Sequence, residues 1–128
     1  MDVFQFKLAE DSEHGAECQL RHPKTGEPIP VWITVIGPDS KAARKAQTDI
    51  LRAAQRNEDD IDVRAAKYMA AVTKGWRNIA EGDKDLVFSN DEAIRVYTNQ
   101  VWIREQVEVF QAQRINFPGA SSPSSKKR

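Results

Sequence analysis

The chain of 128 residues has one cysteine and two histidines, and no histidine follows His22. A lone Cys18 cannot form an internal disulfide, which predicts a reducing compartment. The scarcity of histidine removes the commonest general base and metal ligand from everything beyond residue 22. No nucleophile elbow or glycine-rich dinucleotide loop is present. Lys24-Thr25-Gly26 lacks both the glycine ahead and the helix behind that a phosphate loop needs. No apolar run approaches the ~20 residues that span a bilayer. Met1-Asp2-Val3-Phe4-Gln5 lacks the basic start and apolar core of a signal peptide. Excess charge is missing as well: 19 acidic side chains balance 19 basic ones, which argues against a general nucleic-acid binder. Together these absences predict a soluble, cytosolic protein that is not an enzyme and uses no cofactor or metal.

What the chain does have is apolar bulk. Three Trp, five Phe and two Tyr within a 40% hydrophobic composition are too many for a disordered chain. The length suffices for one domain with a real core. Val3, Phe4, Phe6 and Leu8 alternate in part, predicting an edge strand, and acidic Glu10 to Glu17 reads as a loop. Cys18–Arg21 and Val31–Ile36 predict a β-hairpin. Its long connection carries Pro23, Pro28 and Pro30, which cannot donate ladder hydrogen bonds and so belong to the connection or its edges. Val31, Ile33 and Val35 then share one face and Trp32, Thr34 and Ile36 the other.

Gly37-Pro38-Asp39-Ser40 ends that strand and caps a helix from Lys41 to about Asn57, with Ala43, Ala46, Ile50, Ala53 and Ala54 along one side. Glu58-Asp59-Asp60 closes it. A further helix follows in which Ile61, Ala65, Tyr68, Met69, Val72 and Trp76 share a face. Gly75 is placed for a left-handed cap on which Trp76 folds back. Asn78 to Asp85 reads as a polar loop. Ser89-Asn90-Asp91-Glu92 has capping-box spacing, followed by the stripe Ile94, Tyr97, Val101. After a break near Thr98-Asn99, Trp102, Ile103, Val107, Val109 and Phe110 form a wide apolar arc. The fold class predicted is α+β: one domain over residues 1–117, β-rich over 1–37 and helical over 39–117 with about four helices. Residues 118–128 read as a flexible basic tail.

Few groupings of polar side chains suggest chemistry. His14, Cys18 and His22 recur every four residues, but on a loop and strand they lie about 13 Å apart, too far to share an ion. Glu58, Asp59, Asp60 and Asp62 lack the spacing of a calcium loop and suit a helix-to-helix junction. Lys41, Arg44, Lys45, Arg52 and Arg56 form a basic stripe opposite the alanines. It fits a solvated helix face better than a nucleic-acid site, although a small DNA-binding regulator remains the alternative that would use it. The aromatic and aliphatic arc of the terminal helix exceeds what short helices easily hide, and it fits a surface that docks on another chain.

Pro23-Lys24-Thr25-Gly26-Glu27-Pro28, the strand Val31 to Val35 and Gly37-Pro38-Asp39-Ser40 resemble the N-terminal part of small tail-assembly proteins of long-tailed phages. Gly75-Trp76, Val87-Phe88-Ser89-Asn90-Asp91-Glu92-Ala93, Ile103-Arg104-Glu105-Gln106-Val107 and Asn116-Phe117 are similar to the tail assembly chaperones. The likeness spans most of residues 18–117, with Gly82-Asp83 standing where the family often has an Asp-Gly turn. The resemblance implies a non-enzymatic protein of the host cytoplasm, absent from the mature virion, with no membrane association. Such a protein binds and solubilises the tape measure protein, helps recruit the tail-tube protein, and can form homo-oligomers. Trp76, Trp102, Ile103, Val107 and Phe110 are the expected partner contacts. A head-to-tail connector or other structural tail protein is the alternative.

Overall fold

A computed structural model describes residues 1–119; the expected tail therefore lies, but for Pro118 and Gly119, outside the described residues. The architecture is α+β. A short helix α1 (Leu8–His14) precedes strands β1 (Ala16–Arg21) and β2 (Pro28–Val35), then helices α2 (Lys41–Gln55) and α3 (Ile61–Val72). Strand β3 (Thr73–Arg77) follows α3 directly, and a two-residue hairpin, β4 (Ala80–Glu81) with β5 (Lys84–Asp85), leads to α4 (Asn90–Asn99) and α5 (Val101–Gln111). The main sheet is antiparallel with order β1-β2-β3.

The sheet is one-sided, as antiparallel sheets commonly are. Cys18, Ile33 and Trp76 stand in register across it, and buried Leu20, Ile33 and Val35 meet Met69, Tyr97, Ile103 and Val107 of the helices. On the other face Gln19, Trp32 and Arg77 align across the strands. There the Arg77 guanidinium lies 4.3 Å over the Trp32 ring while both its ends hold Glu17 at 3.1 Å. Helix α3 packs against α2, α4 and α5.

The caps explain where the helices start. Ser40 Oγ accepts from Ala43 N, Asp60 from Val63 N and Ser89 Oγ from Glu92 N, each satisfying a first-turn donor. The non-helical backbone of Gln100 (φ −116°, ψ 75°) separates α4 from α5, the break expected near Thr98-Asn99.

Four expectations are corrected. Val3 to Leu8 is not an edge strand: Val3–Gln5 is a 3-10 turn, and α1 occupies most of the expected acidic loop, so a helix precedes the first strand. Asp2 accepts from Phe4 N, Glu10 and Asp11 sit in the first turn of α1, and Ser12 is buried where its Oγ accepts from Asp39 N at 3.0 Å. A seven-residue helix does not stand alone in water, and this one is held by that anchor. Residues 73–77 are likewise not a helix cap. Thr73 turns extended (φ −88°, ψ 133°), Ile36 N donates to Val72 O, and Trp76 pairs with Ile33 in the sheet, so the region 39–117 also contains strands. The Asn78–Asp85 loop contains the β4–β5 hairpin, whose turn is Gly82 at φ 63°. Ile61 leaves its expected inward face and is exposed.

Candidate functional site

A groove of about 800 Å³ runs between α5 and the far end of the β1–β2 hairpin. One wall is α5, where Trp102, Val109 and Phe110 supply apolar surface beside Glu105 and Gln106. The opposite wall is the strand end and turn from Arg21 to Gly26. That turn is held tightly: His22 N donates to Glu27 O at 2.8 Å, Gly26 N to His22 O at 2.9 Å, and His22 Nδ1 accepts from Lys24 N at 3.1 Å. Gly26 sits at φ 77°, the left-handed region that glycine enters freely.

Beneath the groove lies the outer edge of the sheet, since β1 has only β2 beside it. An unpaired strand edge is a docking template. Gln106 of α5 closes part of it, accepting from Arg21 N at 2.8 Å and donating to Arg21 O at 2.9 Å. A side-chain amide there imitates a neighbouring strand at the position where the β1–β2 register slips. Cys18 also lines the groove, but burial pushes its thiol up to about 11, so it stays a protonated packing group.

The five expected contact residues separate. Trp102 and Phe110 line this groove together, half-buried, with Trp102 Nε1 donating to Gln100 Oε1 at 3.2 Å and Phe110 edge-on to Phe117 at 5.8 Å. Val107 is buried in the core, and Ile103 is nearly so, its remaining surface bordering a smaller pocket beside Ile79 and Leu86. Trp76 does not line the groove; it packs edge-on against Phe88 at 5.0 Å and donates to Leu86 O at 2.9 Å. Val109, which is 63% exposed, joins Trp102 and Phe110 instead.

A second groove, of about 530 Å³, lies between the end of α2 and the start of α3 and is lined by Ile50, Leu51, Ile61, Ala65 and Tyr68. Glu108 of α5 borders it; burial raises that carboxyl above the ordinary range while Arg104 pulls it back. Arg104 itself is buried and reaches Asp62 Oδ1 at 3.3 Å and Glu108 Oε2 at 3.4 Å. Sequence periodicity missed this groove. Its one available signal was Leu51, an apolar residue on the charged side of α2.

The other groupings resolve into structure. Among the described residues no set of three or more His, Cys, Asp or Glu side chains converges as a metal site, the His14, Cys18 and His22 trio included. In the acidic junction Asp60 caps α3, Asp59 pairs with Lys67, and the Glu58 and Asp59 carbonyls accept from Arg64 Nη1. The basic stripe of α2 is solvent-exposed, with Lys45 paired to Asp49 at 2.9 Å. No described helix is long and apolar enough to cross a membrane. The described residues form an α+β fold with open grooves of mixed apolar and polar lining. Comparison with protein-family models, curated proteins and solved structures gives no match.

Proposed function

We propose that this chain is a tail assembly chaperone of long-tailed phages. In this reading it works in the host cytoplasm without catalysis, holds the tape measure protein in soluble form, helps recruit tail-tube subunits, and leaves before the virion is complete. The sequence resemblance supplies the class. The observation that carries it further is the groove in which Trp102, Val109 and Phe110 face the polar hairpin turn.

The mechanism is masking. An apolar stripe of a long helical client would lie along α5, trading water for Trp102, Val109 and Phe110, while Arg21, Lys24 and Glu105 meet its polar flanks. A contact near 800 Å² per partner is enough for specificity, and rim charges allow release when tail-tube subunits compete.

Co-expression with neighbouring open reading frames, followed by pull-down, tests this. The expected partner is a very long helical protein, and Trp102→Ala should weaken its capture by about 2 kcal/mol, roughly 30-fold, as truncation of an aromatic anchor does. Capture that is indifferent to Trp102 and Val109 substitutions would move the client off this groove. Stoichiometric presence in purified virions, read by mass spectrometry, would favour a head-to-tail connector instead.

A further inference from the structure

Strand β1 has β2 on one side only, and the Gln106 amide shows which of its residues address the open side. Arg21 N and O both point outward to that amide, while His22 N turns inward to Glu27 O. Counting back by twos, Gln19 and Glu17 also direct N–H and C=O to the open edge, whereas Leu20, Cys18 and Ala16 direct theirs toward β2. Glu17, Gln19 and Arg21 are all exposed. One rung of an additional strand is thus already filled by a side-chain amide, and the next two are open to a partner's backbone.

The groove beside this edge sets the chemistry of that partner. Cys18, Gln19 and Arg21 lie on one side of it and Trp102, Val109 and Phe110 on the other. A strand added to β1 sends alternate side chains to the two faces of the sheet. Those on the face of Cys18 and Leu20 meet α5 and need to be apolar; those beside Glu17 and Gln19 meet water and need to be polar. At the turn end, Arg21 and Lys24 face one carboxylate, Glu105, and Glu27 of the same turn does not line the groove. Two cations against one carboxylate favour an acidic residue there. An antiparallel strand, the pairing used throughout this sheet and the more stable one, has its amino end at that turn.

We propose that the β1 edge accepts an extended segment of a partner protein as an antiparallel fourth strand, alternating apolar and polar, with an acidic residue at its amino end. This stands apart from the chaperone reading. A helix along α5 and a strand on β1 overlap at Val109 and Phe110, so the two partners exclude each other and one can displace the other.

Heteronuclear NMR on the full chain tests it, with a capped heptapeptide probe of glutamate followed by three valine–threonine pairs. Without peptide, the Glu17 and Gln19 amides should exchange with solvent faster than those of Cys18 and Leu20. Added peptide should shift the Glu17 and Gln19 resonances and protect both amides. N-methylating the threonines, whose amides face β1 in this register, should weaken binding roughly 30-fold, as the loss of two hydrogen bonds does. N-methylating the valines, whose amides point away, should change it by less than about 2-fold. Lysine in place of the glutamate should weaken it roughly 3-fold. Slow exchange at Glu17 and Gln19 before peptide is added would mean that a second copy or the chain itself covers the edge, and would overturn the proposal. So would absence of binding at millimolar peptide, shifts confined to other surfaces, or equal losses from the two methylated peptides. None of these outcomes bears on capture of a long helical client, so this proposal and the chaperone reading fail separately.

Discussion

Tyr97 is fully buried, and its hydroxyl has a single use. Thr73 Oγ1 donates to Met69 O at 2.7 Å, so the phenol, 2.7 Å from that oxygen, donates to it. Burial drives the phenol far above its ordinary range and keeps it a donor. Thr73→Val strands a buried hydroxyl and should cost about 1–3 kcal/mol, whereas Tyr97→Phe leaves Thr73 its bond to Met69 and should cost about 1. Urea unfolding would give that order. The Asp39 carboxylate is gripped by both ends of the Arg114 guanidinium at 2.6 and 2.9 Å, and that hydrogen bond holds it below its ordinary 3.8. A lowered carboxyl contributes stability above its unfolded value and loses it as pH falls through the folded one. The melting temperatures of wild type and Arg114→Met should therefore differ most above about pH 4 and converge toward pH 2.

At the scale of elements, the least self-sufficient one is α1. Gly37 N donates to Ser12 O at 2.9 Å, and a Cβ at position 37 would sit 2.9 Å from Ser12 Cβ and 3.0 Å from Phe117 Cγ. Gly37→Ala should cost about 1–3 kcal/mol, with amide exchange rising in α1 before β1. That anchor also shows why α1 was illegible. Val3, Phe4, Phe6 and Leu8 carry a strand-like alternation, but nothing local announces that Ser12 will be buried against residues 37–39. β3 was hidden in the same way: Gly75 after Lys74 looks like a helix stop, and only the open side of β2 turns residues 73–77 into a strand. Ser40, Asp60 and Ser89 were legible because a cap needs only its own first turn. The candidate site lay between these cases. Helical spacing grouped Trp102 and Phe110, which line one groove together. The arc was too wide, however, to tell that Ile103 and Val107 point to the sheet while Val109 points away.

Over the whole molecule, a balance of 19 acids and 19 bases conceals an uneven layout, acidic along the first 14 residues and basic along α2. The buried cluster reaches from Cys18 to Phe117, so the last described residues close the same core that the first strand opens. The Asp39–Arg114 grip and the Gly37–Ser12–Phe117 junction fasten α1 and the last described residues to one loop, and Gly119 lies against Asp11. Residues 11–12 and 117–119 thus share one corner of the folded body. A circular permutant that joins the termini and reopens the chain at the exposed Gly82–Asp83 turn should fold, with the parent's circular dichroism and only a modest drop in melting temperature. A label carried at residue 119 would sit beside one carried at residue 11, which makes this corner a natural place for a paired reporter of unfolding.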